Sequence, residues 1–307
     1  MAPAMSGELP PTETDLPGVE RELAQLRGGE HGASVRATTL NLVVYAETDD
    51  HVNRISDAIL TIGGSRPLRA LIAVPVEDRL RATVSSSCWT GAGGHEVCSE
   101  QVVIRAAAAA LPSAIVGLLI PDLPVFVLWQ GAVGDRRDLL ERLAREATRL
   151  IVDSDECGLA ATESVSLIAP AMADLAWTRL VPWREAVAAF ADTHDGLRAL
   201  RHAMALEVRG PANEASLLAG WLRSRLDVHL GLDRSGRGQS MERLGIHVSG
   251  GELVVERTGR GAVGRVVGID QIEHPVMLPR RDWGVLLGAE LDRMGSDRVY
   301  EQALSAA

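Results

Sequence analysis

The sequence predicts an α/β N-terminal lobe with a mainly parallel or mixed sheet, followed by an α+β C-terminal lobe with an antiparallel sheet. Three observations carry this. Short uninterrupted apolar runs, Leu40–Tyr45, Leu68–Val74 and Val125–Trp129, alternate with helical patterns. This is the spacing of strand–helix–strand units whose strands are covered on both faces. Beyond Leu200 the period shortens to two: Leu244, Ile246 and Val248 alternate, and Ser249-Gly250-Gly251 turns the chain into Glu252–Glu256, a hairpin pattern. A chain of 307 residues also exceeds what a single core ordinarily serves, so two lobes are expected.

Taken in order, residues 1–33 read as a flexible segment, with no regular structure over 1–15 and a short helix over 17–27 that Gly28-Gly29 ends. The α/β lobe spans 34–173. Leu40–Tyr45 is a strand, and Asp49 or Asp50 caps a helix whose inner face is Val52, Ile55, Ile59 and Ile62. Leu68–Val74, Arg81–Ser86 and Val97–Arg105 follow as strands, the last two joined by a glycine-rich loop. A helix over Ser113–Leu119 breaks at Pro121-Asp-Leu-Pro124 and leads into Val125–Trp129. The helix Asp138–Thr148 turns Leu139, Leu143 and Ala147 inward, and Leu150–Asp153 closes the lobe. The α+β lobe spans 174–307. It contains a Trp-rich helix, a period-two segment through Leu200, Met204, Leu206 and Val208, and a helix capped by Asn213 that runs to Leu226. The hairpin, a strand over Val263–Ile269 and helices near Trp283–Met294 and Asp297–Leu304 complete it.

Composition excludes several function classes. All 31 basic residues are Arg and the net charge is -10. The missing Lys reads as codon bias. Without a positive stripe to displace counterions, nucleic acid is not expected as a partner. The longest apolar run, Ala106–Ile120, is interrupted by Pro112 and Ser113, so no membrane span is expected. No secretory leader is expected either. Cys88, Cys98 and Cys157 are odd in number and lack CxxC spacing, which predicts free thiols in a cytoplasmic protein.

Motifs for catalysis or cofactors are weak. Gly259-Arg-Gly-Ala-Val-Gly264 matches GxGxxG but runs into a strand-like segment, whereas a dinucleotide loop must open a helix. It is read as a turn. The Cys88–His95–Cys98 loop could hold a nucleophile or a metal, but the further ligands and the orienting group are not evident. Asp49-Asp50-His51 reads as a helix start, and Asp153, Asp155 and Glu156 as a solvated strand end. No catalytic, cofactor-binding or metal-ligating residue is assigned.

The most informative stretch is Asp174-Leu-Ala-Trp-Thr-Arg-Leu-Val-Pro-Trp-Arg-Glu185. Ala176, Leu180, Trp183, Val187 and Phe190 lie on one helical face. Pro182 implies a kink or a fresh helix start. Together with Leu16–Leu26, Arg36–Val44, Leu119–Phe126 ending at Trp129, Leu217–Leu226 and Asp297–Leu304, this segment resembles the glucose-6-phosphate dehydrogenase assembly protein family, OpcA. The resemblance implies a non-catalytic partner that binds glucose-6-phosphate dehydrogenase and favours its active oligomer. The candidate partner-binding residues are Trp177, Arg179, Trp183, Arg184, Trp221 and Arg225, since Trp and Arg dominate interface hot spots. Core Trp with snorkelling Arg is the competing reading. Two other functions compete: a sugar-phosphate or nucleotide sensor using strand ends near Pro121-Asp122 and Asp153, and an enzyme using the Cys88–His95–Cys98 loop.

Overall fold

β-Branched runs buried on both faces require neighbours on both sides, and the N-terminal sheet supplies them. The computed structural model describes residues 4–28, 38–77, 79–90, 96–234, 238, 240–259, 263–269 and 272–307. Its first sheet is built from β1 (Ala4–Thr14), β2 (Leu40–Tyr45), β3 (Leu68–Pro75), β4 (Arg81–Thr90), β5 (Glu96–Ala106), β6 (Val125–Trp129), β7 (Arg149–Val152) and β8 (Met172–Asp174), in the order β1-β4-β5-β3-β2-β6-β7-β8. The run β5, β3, β2, β6, β7 is parallel, and β4 and β1 extend it antiparallel. Every residue of β2 is buried. The helices interleaved with these strands are α1 (Leu16–Gly28), α2 (Asp49–Ile62), α3 (Leu111–Val116), α4 (Arg137–Ala144), α5 (Ser154–Cys157) and α6 (Leu159–Ser166).

Three details of this sheet and its helices differ from the sequence expectation. Ala4–Thr14, expected to be irregular, pairs along β4 as an edge strand. Backbone hydrogen bonding to an open edge needs no apolar pattern. The cap of α2 is Thr48, whose Oγ1 accepts from His51 N at 3.2 Å. Asp49 and Asp50 instead occupy the first turn, where they complement the helix dipole. Cys88 and Cys98 are direct partners across β4 and β5, with Cα atoms 4.1 Å apart, and form a disulfide. The expectation of three free thiols is therefore corrected, and Cys157 is the cysteine outside the disulfide. The cause is register: a cross-strand pair ten residues apart brings two sulfurs together.

The second sheet is built from β9 (Ala203–Arg209), β10 (Gly231–Arg234), β11 (Arg243–Val248), β12 (Gly251–Arg257), β13 (Val263–Val267) and β14 (Glu273–Met277), in the order β10-β9-β11-β12-β13-β14. All its pairings are antiparallel except β10 with β9. One face buries Leu206, Val208, Leu244, Ile246, Leu253 and Val255. The remaining helices are α7 (Leu175–Arg179), α8 (Val181–Ala191), α9 (His194–Leu200), α10 (Ala212–Leu226), α11 (Trp283–Leu291) and α12 (Arg298–Ser305). Of these, α8, α9 and α10 pack on the sheet. A new helix starts at Val181 with Pro182 in its first turn, as Pro182 requires. α10 starts after Pro211 without a side-chain cap, so Asn213 is inside the helix rather than its cap. Leu200 ends α9 instead of belonging to the strand, and a register shift near Val248 puts Ala203 inward and leaves Met204 59% exposed.

The chain forms two compact units: Met1–Cys157, Ser164–Met172 and Asp282–Ser296 make the first, and Gly158–Glu163, Ala173–Arg281 and Asp297–Ala307 the second. α11 therefore belongs to the first unit, where it packs on α2. There Arg149 Nη2 meets Glu290 Oε2 at 2.8 Å, with the side chains 1% and 2% exposed, and Arg149 Nη1 donates to the Arg293 carbonyl at 2.7 Å. No described helix is long and apolar enough to cross a membrane.

Candidate functional site

In the first unit β2 connects to β3 on one side, while β6 and β7 lie on the other. The border between β2 and β6 is thus the topological switch point, and in open α/β sheets ligands bind beyond the strand ends there. Here the chain's own side chains fill that place. Tyr45 and Trp129, partners in register at the last positions of β2 and β6, stack with ring centroids 3.8 Å apart and planes 4° from parallel. Both are buried. Burial first, then the Glu47 carboxylate, push the Tyr45 phenol above its usual value against the opposing influence of Arg136. This keeps it neutral.

Next to the stack, Arg54 makes a bidentate pair with Glu156, at 2.5 and 3.2 Å, and donates to Gln130 Oε1 at 2.9 Å. Glu156 Oε2 also accepts from Gly131 N at 2.8 Å. Gly131 has φ +84, a conformation that glycine adopts without steric cost and that aims its N–H at the carboxylate. An arginine and a backbone N–H at a strand end are groups that receive an anionic ligand, and an internal carboxylate occupies both. The connection from β2 to α2, Ala46-Glu-Thr48, has no glycine and leads into Asp49 and Asp50, charges that repel a pyrophosphate. The GxGxxG residues Arg260, Gly261 and Ala262 lie outside the described residues. Described Gly264 falls in β13, as the strand reading expects. His95 also lies outside the described residues, while the two thiols near it are joined to each other. Pro121-Asp122 precedes β6 whereas Asp153 follows β7, and β6 and β7 are parallel. The two parts of the strand-end sensor site therefore lie at opposite ends of the sheet.

The six candidate partner-binding residues all lie in the second unit. Trp177 and Trp183 are core side chains, 2% and 1% exposed. Trp177 Nε1 donates to Asp297 Oδ2 at 3.1 Å, and Asp297 also caps α12 through Val299 N and Tyr300 N. Tyr300 Oη in return donates to Asp174 Oδ2 at 3.3 Å, and Asp174 caps α7. Reciprocal capping thus locks the Trp-rich segment to the last helix. Arg184 is half-buried with its guanidinium 3.5 Å from the Trp177 ring centroid, a cation–π stack. Arg179 Nε meets Glu214 Oε1 of α10 at 2.6 Å, with that carboxylate 3% exposed. Trp221 is half-buried and Arg225 exposed, both on α10. The structure therefore joins Trp177, Arg179, Trp183 and Arg184 to the core, while Trp221 and Arg225 project from α10. Sequence reasoning missed Glu214, Asp297 and Tyr300 as their partners. Asp297 carried one local signal, an Asp just before an amphipathic run.

Two family models cover most of the chain: the N-terminal domain of a glucose-6-phosphate dehydrogenase subunit over residues 61–168, and its C-terminal domain over residues 170–304. The chain belongs to the OpcA family. It is 30% identical over 190 residues to an OxPP cycle protein named OpcA from Nostoc punctiforme, covering 57% of this chain and 40% of the relative. With the OpcA of Synechocystis it shares 28% over 182 residues, covering 54% and 38%. The chain thus spans about two fifths of the length of these relatives. Alignments to solved oxidoreductases have TM-scores below 0.5. Aldose-aldose oxidoreductase from Caulobacter crescentus aligns at 0.49 with 10% identity over 87% of this chain and 94% of that one. Biliverdin reductase from Synechocystis aligns at 0.47 with 10% identity over 88% and 97%.

Proposed function

We propose that this chain is a non-catalytic protein of the oxidative pentose phosphate pathway, one that binds glucose-6-phosphate dehydrogenase in the cytoplasm and favours its active oligomer. Family membership supports the pathway and the partner. The observation that carries the non-catalytic part is the switch point, where Tyr45 stacks on Trp129 and Glu156 takes both Arg54 and the Gly131 N–H. A sugar-phosphate or nucleotide sensor at the switch point would have to displace that carboxylate. A partner that binds the active oligomer better than the inactive one shifts the equilibrium by its differential affinity, about 3 kcal/mol for roughly a hundredfold. Of the six candidate residues, Arg225 is exposed and Arg179, Arg184 and Trp221 are half-buried, with Arg184 held on the buried Trp177 ring.

The test mixes the chain with the dehydrogenase and follows both sedimentation and turnover. Expected are co-migration, a shift to the larger dehydrogenase oligomer, higher activity, and no turnover of glucose 6-phosphate by the chain alone. Arg184→Ala and Arg225→Ala should each weaken activation by about tenfold if their surface meets the enzyme. Turnover by the chain alone, or unchanged sedimentation and activity, overturns the reading.

A further inference from the structure

The second sheet has one face covered by α8, α9 and α10 and another that carries its half-buried and exposed side chains. The open face carries Glu207 and Arg209 of β9, Arg243 and His247 of β11, Glu252, Val254 and Glu256 of β12, Val263, Arg265 and Val267 of β13, and Glu273 and Met277 of β14, following the registers. Its carboxylates Glu207, Glu252, Glu256 and Glu273 are matched within the chain. Arg243 reaches Glu252 at 3.0 Å, with Glu207 and Glu256 each at 3.7 Å. Arg265 reaches Glu256 at 2.5 Å and Glu273 at 2.9 Å. The lattice lies flat because of Gly245: a Cβ there would sit 2.1 Å from Glu252 Oε1 and 3.1 Å from Arg243 Nη1. At the margin the cross-strand partners Val263 and Met277 are 50% and 65% exposed.

We propose that this face packs against the same face of a second copy of the chain, independently of the dehydrogenase reading. The face offers the area: six strands about 4.8 Å apart and about five residues long give roughly 500 Å² per copy, or about 1,000 Å² in total, the threshold for a specific interface. It also offers complementarity. Arg243 and Glu256 are cross-strand partners, so a twofold axis lying parallel to β11 and β12, midway between them, sets Arg243 of one copy over Glu256 of the other. Packed sheets cross at about 30°, so the centre keeps this register while the rims diverge. Because each carboxylate already has a guanidinium beside it, closing the interface buries no unpaired carboxylate, and exposed Arg209 at the end of β9 stays at the rim.

The experiment is sedimentation equilibrium of the whole chain up to about 100 μM, a concentration that saturates a micromolar Kd. Expected for the wild type is twice the monomer mass. Val254→Arg, at the centre of the face but outside the buried core, should be monomeric with unchanged far-UV circular dichroism. Arg243→Glu should weaken self-association at least tenfold, and Arg243→Glu with Glu256→Arg should restore it. A wild-type monomer at the top concentration, or a folded Val254→Arg protein that stays dimeric, overturns the proposal. If Val254→Arg fails to fold, the charge swap decides: no recovery in the double variant also overturns it.

Discussion

Replacing Gly220 with Ala should destabilise the protein, opposite to what helix propensity alone implies. Gly220 is a buried position of α10. In an isolated helix the change to Ala gains about 1 kcal/mol. Here the added methyl would lie 2.0 Å from the Ala303 carbonyl oxygen, 2.8 Å from Ala307 N and 3.0 Å from the Ala306 carbonyl carbon. These are backbone atoms of α12 and the residues after it, so no rotamer change clears them. Ordinary contact begins near 3.4 Å, so the two helices must separate by more than about 1 Å locally. Overpacking of this kind costs about 1–3 kcal/mol, and the separation also strains Trp177–Asp297 and Tyr300–Asp174. Set against that gain, the net expectation is a loss of up to about 2 kcal/mol. Urea melts monitored by tryptophan fluorescence would read it as a lower midpoint at unchanged slope. A Gly220→Ala midpoint equal to or above that of the wild type would refute the claim that close helix approach selects glycine here.

Other outcomes follow from the same geometry. Glu290→Ala leaves Arg149 buried without its carboxylate partner and should cost about 3–5 kcal/mol in a urea melt, more than Glu273→Ala at an exposed pair. Tyr45 should ionise above the usual phenol range: with its folded pKa raised, its contribution is intact below pH ~10 and is lost as pH rises through the higher folded value. The difference between alkaline absorbance titrations of the wild type and Tyr45→Phe isolates this step, because the chain has only two Tyr. Thiol labelling in denaturant without reductant should count one reactive cysteine per chain, Cys157, and three after reduction. Three without reduction would contradict the Cys88–Cys98 bridge.

Elements with a strong period were legible. The strands Leu40–Tyr45 and Val125–Trp129 stand where their apolar runs put them, since burial on both faces admits little else. The Trp-rich face was legible too: Ala176, Leu180, Trp183 and Val187 are all buried. What the sequence hid was set at long range. β1 is rich in Pro, Thr and Glu and pairs along the β4 backbone. β14 alternates nothing, because Pro275 and exposed His274 have no core to face. Met204 read as an inward residue because alternation counts parity and cannot see the shift that hands the position to Ala203. The plug at the switch point was equally invisible: Arg54 and Glu156 lie 102 residues apart. Each alone looks like surface charge.

The return of Asp282–Ser296 to the first unit bears on synthesis as well as stability. The main run of that unit is translated by Cys157, yet the carboxylate for Arg149 sits at Glu290, well over a hundred codons later. Until α11 emerges, the nascent first sheet carries a guanidinium whose buried position has no counter-ion, and α2 lacks the helix that packs on it. The second unit waits similarly on α12, which supplies the Asp297 acceptor for Trp177. The first unit therefore cannot mature as an autonomous cotranslational domain. Cutting between the two family-model matches near residue 169 should give two insoluble fragments rather than two working halves, and the pair should recover solubility only when the fragments are expressed together.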